Sequence, residues 1–188
     1  MNSSIGTPHV FKDNTQYASF AKRLKAFGLD YLIICGYIIL LTAATIAVVK
    51  TVGFMGLSLR WPENPLLADL MAFVTLVLPV ILYFTLQENS PRQATWGKRK
   101  AGICVVNASG ETLTRMQAFV RSLVKFLPWQ IGHTCLFQGL AATVMPSVVI
   151  VGYVLVYLSV GIYVASALIS KKHRTPYDWA AGSYVIVE

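Results

Sequence analysis

Charged side chains are scarce in this chain. They make up 13% of its 188 residues, about half the usual share of about 25%, and a simple soluble domain is therefore not expected. Cysteine is also sparse: Cys35, Cys104 and Cys135 are odd in number and lack CxxC spacing, so neither a disulfide framework nor a structural zinc is predicted. His9, His133 and His173 fall in three separate regions, which leaves no metal-ligand cluster and no nucleophile beside a base. An enzyme, a metal site and a cofactor are therefore not expected. The first 19 residues hold no apolar core ahead of a small-residue cleavage site, so no signal peptide is predicted and the first apolar helix itself directs insertion. No internal repeat is evident along the chain.

The few charges fence off long intervals without any: residues 31 to 49, 70 to 87 and 126 to 170. A bilayer core about 30 Å thick takes about 20 apolar residues per helix, so the first two intervals fit one crossing each. The third, as a single helix, would run about 68 Å, and two crossings are the economical reading. The predicted fold class is an all-α membrane protein, a four-helix transmembrane bundle with helices at about 22–49, 66–87, 126–144 and 147–170. A cytoplasmic cap of residues 92–125 and 171–188 completes a transmembrane domain over 17–188, behind a flexible cytoplasmic N-terminus at 1–16.

The net charge of +8 invites a nucleic-acid reading, but the position of the cations answers it. Lys12, Lys22, Arg23 and Lys25 precede the first helix, seven cations lie from Arg92 to Lys125, and Lys171, Lys172 and Arg174 follow the fourth helix. Only Lys50 and Arg60 remain in the loop between helices 1 and 2. With four crossings, fourteen of the sixteen cations share one side, which the positive-inside rule assigns to the cytoplasm. Basicity thus records topology, no nucleic-acid partner is expected, and both termini are predicted to be cytoplasmic.

Local signals fill in the rest. The loop at Lys50–Ala68 offers Trp61 as an aromatic anchor, and Pro79 inside helix 2 frees the carbonyl of Thr75 and predicts a kink. Residues 101–107 and 111–114 around Ala108-Ser-Gly read as a small cytoplasmic hairpin, and the strand-like 182–188 is placed to pair with it. Thr114 with Gln117 reads as a capping box opening an amphipathic helix that ends at Pro128. Met116, Phe119, Val120, Leu123 and Leu127 would form its apolar face in the headgroup plane, or against the bundle, opposite Arg115, Arg121, Ser122 and Lys125. Gln130, Thr134 and Gln138 make one face of helix 3 polar, with His133 beside them, and helix 4 carries Gly161 and Ala165 at small-xxx-small spacing.

Asp30 lies within the apolar boundary of helix 1, where an ionised carboxylate costs several kcal/mol unless it is paired or wet. Arg23, seven residues earlier on the same face, and Arg121 or Lys125 from the amphipathic helix are the expected partners. Lys98 in Thr95-Trp-Gly-Lys does not make a phosphate loop, because positions 92 and 99 are both Arg. Lys98, Arg99 and Lys100 are read instead as contacts to anionic headgroups of the lipid bilayer.

Together, Lys22-Arg-Leu-Lys-Ala-Phe-Gly-Leu-Asp30, Thr95-Trp-Gly-Lys-Arg-Lys-Ala-Gly-Ile-Cys-Val-Val-Asn-Ala-Ser-Gly110, Arg121 and Asp178-Trp-Ala-Ala-Gly-Ser-Tyr-Val-Ile-Val187 resemble the RDD family of prokaryotic membrane proteins. The family's Arg and two Asp map to Arg23, Asp30 and Asp178, and its central motif to Thr95, Gly97, Lys98 and Gly102. Trp96 and Ser183 depart from the usual Leu and Thr without touching a charged position. The resemblance implies a multi-pass protein of the prokaryotic inner membrane and transport of an unidentified ligand, with sodium/proton antiport as one possibility. The expected function is a small transporter or cation/proton permease, homo-oligomeric because four short helices enclose little space. Asp30 would take up a proton or monovalent cation, Arg23, Arg121 and His133 would attend it, and Asp178 would close the cytoplasmic end. The alternative is a non-transporting membrane scaffold in which the same Arg and Asp residues form a structural ion network.

Overall fold

A computed structural model describes residues 16–58 and 62–188. The flexible segment expected at the N-terminus lies, apart from Gln16, outside the described residues, and so does the Trp61 anchor. The elements run in the order α1 (Phe20–Phe54), α2 (Pro65–Glu88), α3 (Trp96–Lys100), β1 (Ile103–Asn107), α4 (Arg115–Ala141), α5 (Ser147–Ile169), α6 (Pro176–Ala180) and β2 (Ser183–Val187). Helices α1, α2 and α5 are long and apolar enough to cross a membrane, so the chain is a multi-pass membrane protein, mostly helical, with one small antiparallel sheet.

Side-chain oxygens start the helices. Ser19 accepts from the amide of Lys22, Asn64 accepts from Leu66 and Leu67 with Pro65 at the first helical position, and the Thr114/Gln117 capping box closes in both directions. Each satisfies amides that a helix start leaves unbonded.

Two expectations about α4 are overturned. It does not stop at Pro128 but continues as one helix from Arg115 to Ala141. Pro128 removes a donor and frees the carbonyl of Val124, and Tyr163 of α5 donates its hydroxyl to that carbonyl at 2.6 Å. Pro79 is handled the same way: a π-helical turn at Phe73–Val77 precedes it, and the freed carbonyl of Thr75 accepts the Tyr37 hydroxyl from α1. In a bilayer, neighbouring helices must satisfy such groups because water is absent.

The faces of α4 are also partly inverted relative to the expected amphipathic helix, although Arg115 stays exposed and Phe119 packs on the bundle core. Arg121 and Ser122 are buried, at 2% and 1% exposure, whereas Met116, Leu123 and Leu127 are exposed. An apolar face turned outward costs nothing against lipid, so the polar face takes the interior. Helix α4 starts beside Glu88 at the end of α2 and by Thr134 has reached Asp69 near the start of α2, so it runs antiparallel along nearly the whole of α2 without reversing.

The four long helices gather their charged ends into a cap. There β1 pairs with β2, Val105 opposite Val185 at the centre and Ile103↔Val187 and Asn107↔Ser183 at the ends. Gln16–Ala18 adds to the other edge of β2 through bonds to Val187 and Val185. The expected pairing of the two strand-like segments is therefore present, but the local hairpin is not. Residues 111–114 form no strand, and the Asn107 side chain instead accepts from the amides of Ser109 and Glu111 to shape the turn.

The cap also contains a repeat that inspection of the sequence missed. Thr95 caps a five-residue helix that ends at Ala101, Gly102 turns at φ 64°, and a five-residue strand follows; Thr175, Ala181, Gly182 (φ 60°) and β2 repeat the series at the same spacing. Corresponding residues Val105 and Val185 face each other, and the end pairs exchange under a local two-fold. Three identities in eight positions are too few to stand out by eye.

Two apolar clusters hold cap and bundle together. One sits under the sheet, with Ala18, Ala26, Ile103, Val105, Leu113, Ala118 and Val185. The other lies in the bundle between α1, α2 and α4, with Ile34, Val77, Ile81, Phe84 and Phe126.

Candidate functional site

The junction of cap and bundle carries five buried or half-buried charges in alternating sequence, Lys98, Glu88, Arg121, Asp178 and Arg23. Glu88, the last residue of α2, is fully buried and accepts from the Lys98 ammonium on one oxygen and from Arg121 Nη1 at 2.6 Å on the other. Arg121 then turns its remaining edge to Asp178, with Nη2 at 2.7 Å and Nε at 3.1 Å from Oδ1, while Nε also reaches the Ser183 hydroxyl at 3.1 Å. Asp178 Oδ2 accepts from Arg23 Nη1 at 2.6 Å and from the amide and hydroxyl of Thr175 at 3.1 and 2.9 Å. The Arg121 guanidinium lies 5.2 Å from the Tyr177 ring centroid, a cation–π arrangement.

The Asp178 carboxyl feels two opposing influences. Burial favours its neutral form, but the guanidiniums of Arg121 and Arg23 outweigh that and hold it well below the usual carboxylate range. With every oxygen bonded, the ladder meets the condition under which buried charge is tolerated.

Asp30 is not part of this ladder, and Arg23 does not turn to it. The carboxylate is fully buried on α1 and is held by neutral donors: the Tyr83 hydroxyl at 3.1 Å, the Gly97 amide at 2.8 Å and the Thr95 hydroxyl at 2.5 Å. Neither Arg121 nor Lys125 bonds to it either; among the described residues its partners are the Tyr83 hydroxyl of α2 and dipoles at the start of α3. A free amide at a helix start and the hydroxyl of the capping residue suit an anion.

This arrangement gives the Thr-x-Gly-Lys motif a residue-by-residue meaning. Thr95 caps α3 and donates to Asp30. Gly97 lets α1 approach, since a Cβ there would press on the Ala26 carbonyl and stand 2.8 Å from Asp30 Cγ. Lys98 points the other way to Glu88. It is 7% exposed, so the headgroup contact expected of it is corrected: the helix turn carries it inward, while Lys100 stays outside. Gly102 makes the turn into β1.

His133 is not brought to the charged site. It packs edge-on to Trp129 with centroids 6.3 Å apart, two turns further along α4 than Lys125. The polar face of α4 instead docks on Asp69 of α2, which accepts from Gln130 at 3.1 Å and Thr134 at 2.7 Å. The close approach of α4 and α5 is at Gly152, where a Cβ would collide with Cys135 Sγ, rather than at Gly161, which has open space around it.

Glu88, Tyr83 and Asp69 were missed as site residues. Glu88 was legible in principle, as a carboxylate closing an apolar helix, but its two cations come from other elements, Lys98 on α3 and Arg121 on α4.

Beside this junction lies a cavity of about 470 Å³, whose lining includes Arg23, Asp30, Lys98, Arg121 and Lys125 together with apolar side chains of α1, α4 and α5.

No curated protein and no solved structure matches the chain. A family model described as RDD family does match, over residues 17–182. That interval contains Arg23, Asp30, the α3 turn, Arg121 and Asp178, the residues that build the junction just described, and the chain belongs to the RDD family.

Proposed function

We propose that this RDD-family membrane protein is a non-transporting scaffold or assembly factor of the prokaryotic inner membrane. Its Arg and Asp residues clasp a cytoplasmic, partner-facing cap to the helix bundle. The observation that carries this reading is the state of Asp30, which is fully buried and has both oxygens bonded by Tyr83, Gly97 and Thr95. A carboxylate that must take up and release an ion needs a free oxygen or a wet face, and here both oxygens are committed to positioning α3. Arg23 and Asp178 support the same reading, since they pair with each other across the first and last parts of the chain. Exposed Lys25, Arg92, Lys100, Arg115 and Lys171 surround the cap, in keeping with a cytoplasmic face.

The test is reconstitution of purified protein in liposomes, following cation/proton exchange for the wild type and Asp30→Asn. The scaffold reading expects flux no greater than in empty liposomes for sodium, potassium and lithium. Wild-type flux that disappears in a folded Asp30→Asn protein overturns it in favour of a cation/proton permease. One observation favours that second reading: the cavity beside the junction counts Asp30 in its lining.

A further inference from the structure

Lys125 differs from Arg23, Lys98, Arg121 and Arg174, each of which has a carboxylate or carbonyl partner. Arg23, Lys98 and Arg121 are matched by Glu88 and Asp178 in the ladder, and Arg174 donates to the Asp178 carbonyl. Lys125 bonds to no oxygen among the described residues. Its ammonium lies 3.7 Å from the Phe84 ring centroid and 5.3 Å from those of Phe27 and Phe126. Arg23 contributes a second vacancy, since its Nη2 is buried without a hydrogen-bond partner. Both residues line the 470 Å³ cavity.

The polar lining is gathered at that end, where Asp30, Lys98 and Arg121 are already bonded within the protein, and the walls beyond are mostly apolar. Leu24 on α1, Trp129 on α4, and Val156, Val160 and Val164 on α5 form its walls, and Leu24, Trp129, Val160 and Val164 stay 40–56% exposed, so the cavity opens sideways between α1 and α5. A cleft with a basic end, unfilled donors and greasy walls open toward the lipid matches an anionic amphiphile. Its size is within the range of about 300–1,000 Å³ usual for ligand sites.

We infer that the cleft between α1 and α5 binds one anionic phospholipid of the cap-side leaflet, its phosphate at Lys125 and Arg23 Nη2 and an acyl chain along Val156, Val160 and Val164. A helix from a second copy of this chain fits less well, because among the described residues it brings no free carboxylate to that depth. Asp30, Asp69, Glu88 and Asp178 are all bonded internally, while Glu63, Glu111 and Glu188 lie at the two ends of the molecule.

The experiment is native mass spectrometry of the full chain released from mixed micelles of phosphatidylglycerol and phosphatidylcholine. The wild type is expected to retain one phosphatidylglycerol with a preference of about tenfold or more over phosphatidylcholine, the size of one charge-assisted bond to a desolvated ammonium. Lys125→Met should remove the preference, Lys125→Arg should keep it, and Val160→Trp, which fills the cleft on an exposed wall, should abolish retention of either lipid. A photoreactive acyl chain on phosphatidylglycerol should label wild-type residues 156–164, which tests the site without any variant. Equal retention of the two lipids, labelling elsewhere, retention unchanged in both Lys125→Met and Val160→Trp, or a dimer that excludes lipid each overturns the inference. Binding of inorganic phosphate without lipid retention overturns it as well. None of these outcomes depends on whether the protein transports.

Discussion

The cap end and the far end of the molecule are held together by different means. At the cap, Asp30, Glu88, Arg121 and Asp178 are at most 2% exposed and the oxygens of the three carboxylates are all bonded. Toward the far end, Leu40, Val148 and Ile150 stand 55–71% exposed, and the main specific contacts between long helices among the described residues are Asp69 with Thr134 and Gln130 and the meeting of Gly152 with Cys135. Lipid is as apolar as leucine, so apolar contact alone gives these helices little reason to choose one partner over another. Hydrogen bonds, ion pairs and close backbone approach supply that choice, and the cap has most of them.

Breaking the ladder at its centre should have the largest effect. Arg121→Met leaves Glu88 and Asp178 buried with a cation lost from each, a change that costs about 3–5 kcal/mol, and the detergent-solubilised protein should show it as a lowered unfolding midpoint. Val148→Ala on the exposed far surface should shift the same midpoint by about 0.5 kcal/mol or less. Equal losses would erase the contrast between the two ends.

Acid should act next, through Asp178 of the cap. The folded Asp178 carboxyl titrates below its unfolded value, so its contribution is complete above the unfolded value of about 3.9 and is lost as pH falls through the lower folded value. Trp179 fluorescence on acidification should report cap loosening below about pH 4, with Arg23→Gln moving the onset upward. A cap that loosens first near neutral pH contradicts this.

Gly97→Ala presses a methyl group on the Ala26 carbonyl backbone, and the expected cost is about 1–3 kcal/mol. The matching far-end variant, Gly152→Ala, collides only with the Cys135 side chain, Ile131 being at ordinary contact distance. Cys135→Ala should relieve most of that cost, whereas no side-chain deletion should relieve the cap variant. A smaller effect is expected in the mid-bundle: Tyr163→Phe leaves the Val124 carbonyl unpartnered, worth about 0.6–1.7 kcal/mol. In the double variant with Pro128→Ala the loss should nearly vanish, because the helix again supplies its own donor.

Much of this architecture could be read from residue order. The charge-free intervals marked the three membrane-length helices, although the fourth crossing expected at 126–144 falls within α4, which is not among them; Thr114 with Gln117 marked the start of α4, and the carbonyl freed by Pro79 was identifiable before its partner. Pro128 misled because a proline is read locally as a stop, and the hydroxyl that lets α4 continue lies on Tyr163, a helix away. The same distance hid Glu88, which looks like an ordinary helix-end carboxylate until Lys98 and Arg121 are seen to converge on it. Arg23 and Asp30 were expected to pair from their spacing, but spacing places residues on a face without choosing among competing partners. The nearer competitors were the amide and hydroxyl of α3 for Asp30, and Asp178 for Arg23.

The sequence by itself determined that this chain is a multi-pass membrane protein of the RDD family, because hydrophobic length and motif order are properties of the linear chain. Only the tertiary structure decided which charges answer which. A buried charge is stabilised by the groups within about 4 Å of it, and folding brings those together from α1, α2, α3, α4 and the C-terminal turn.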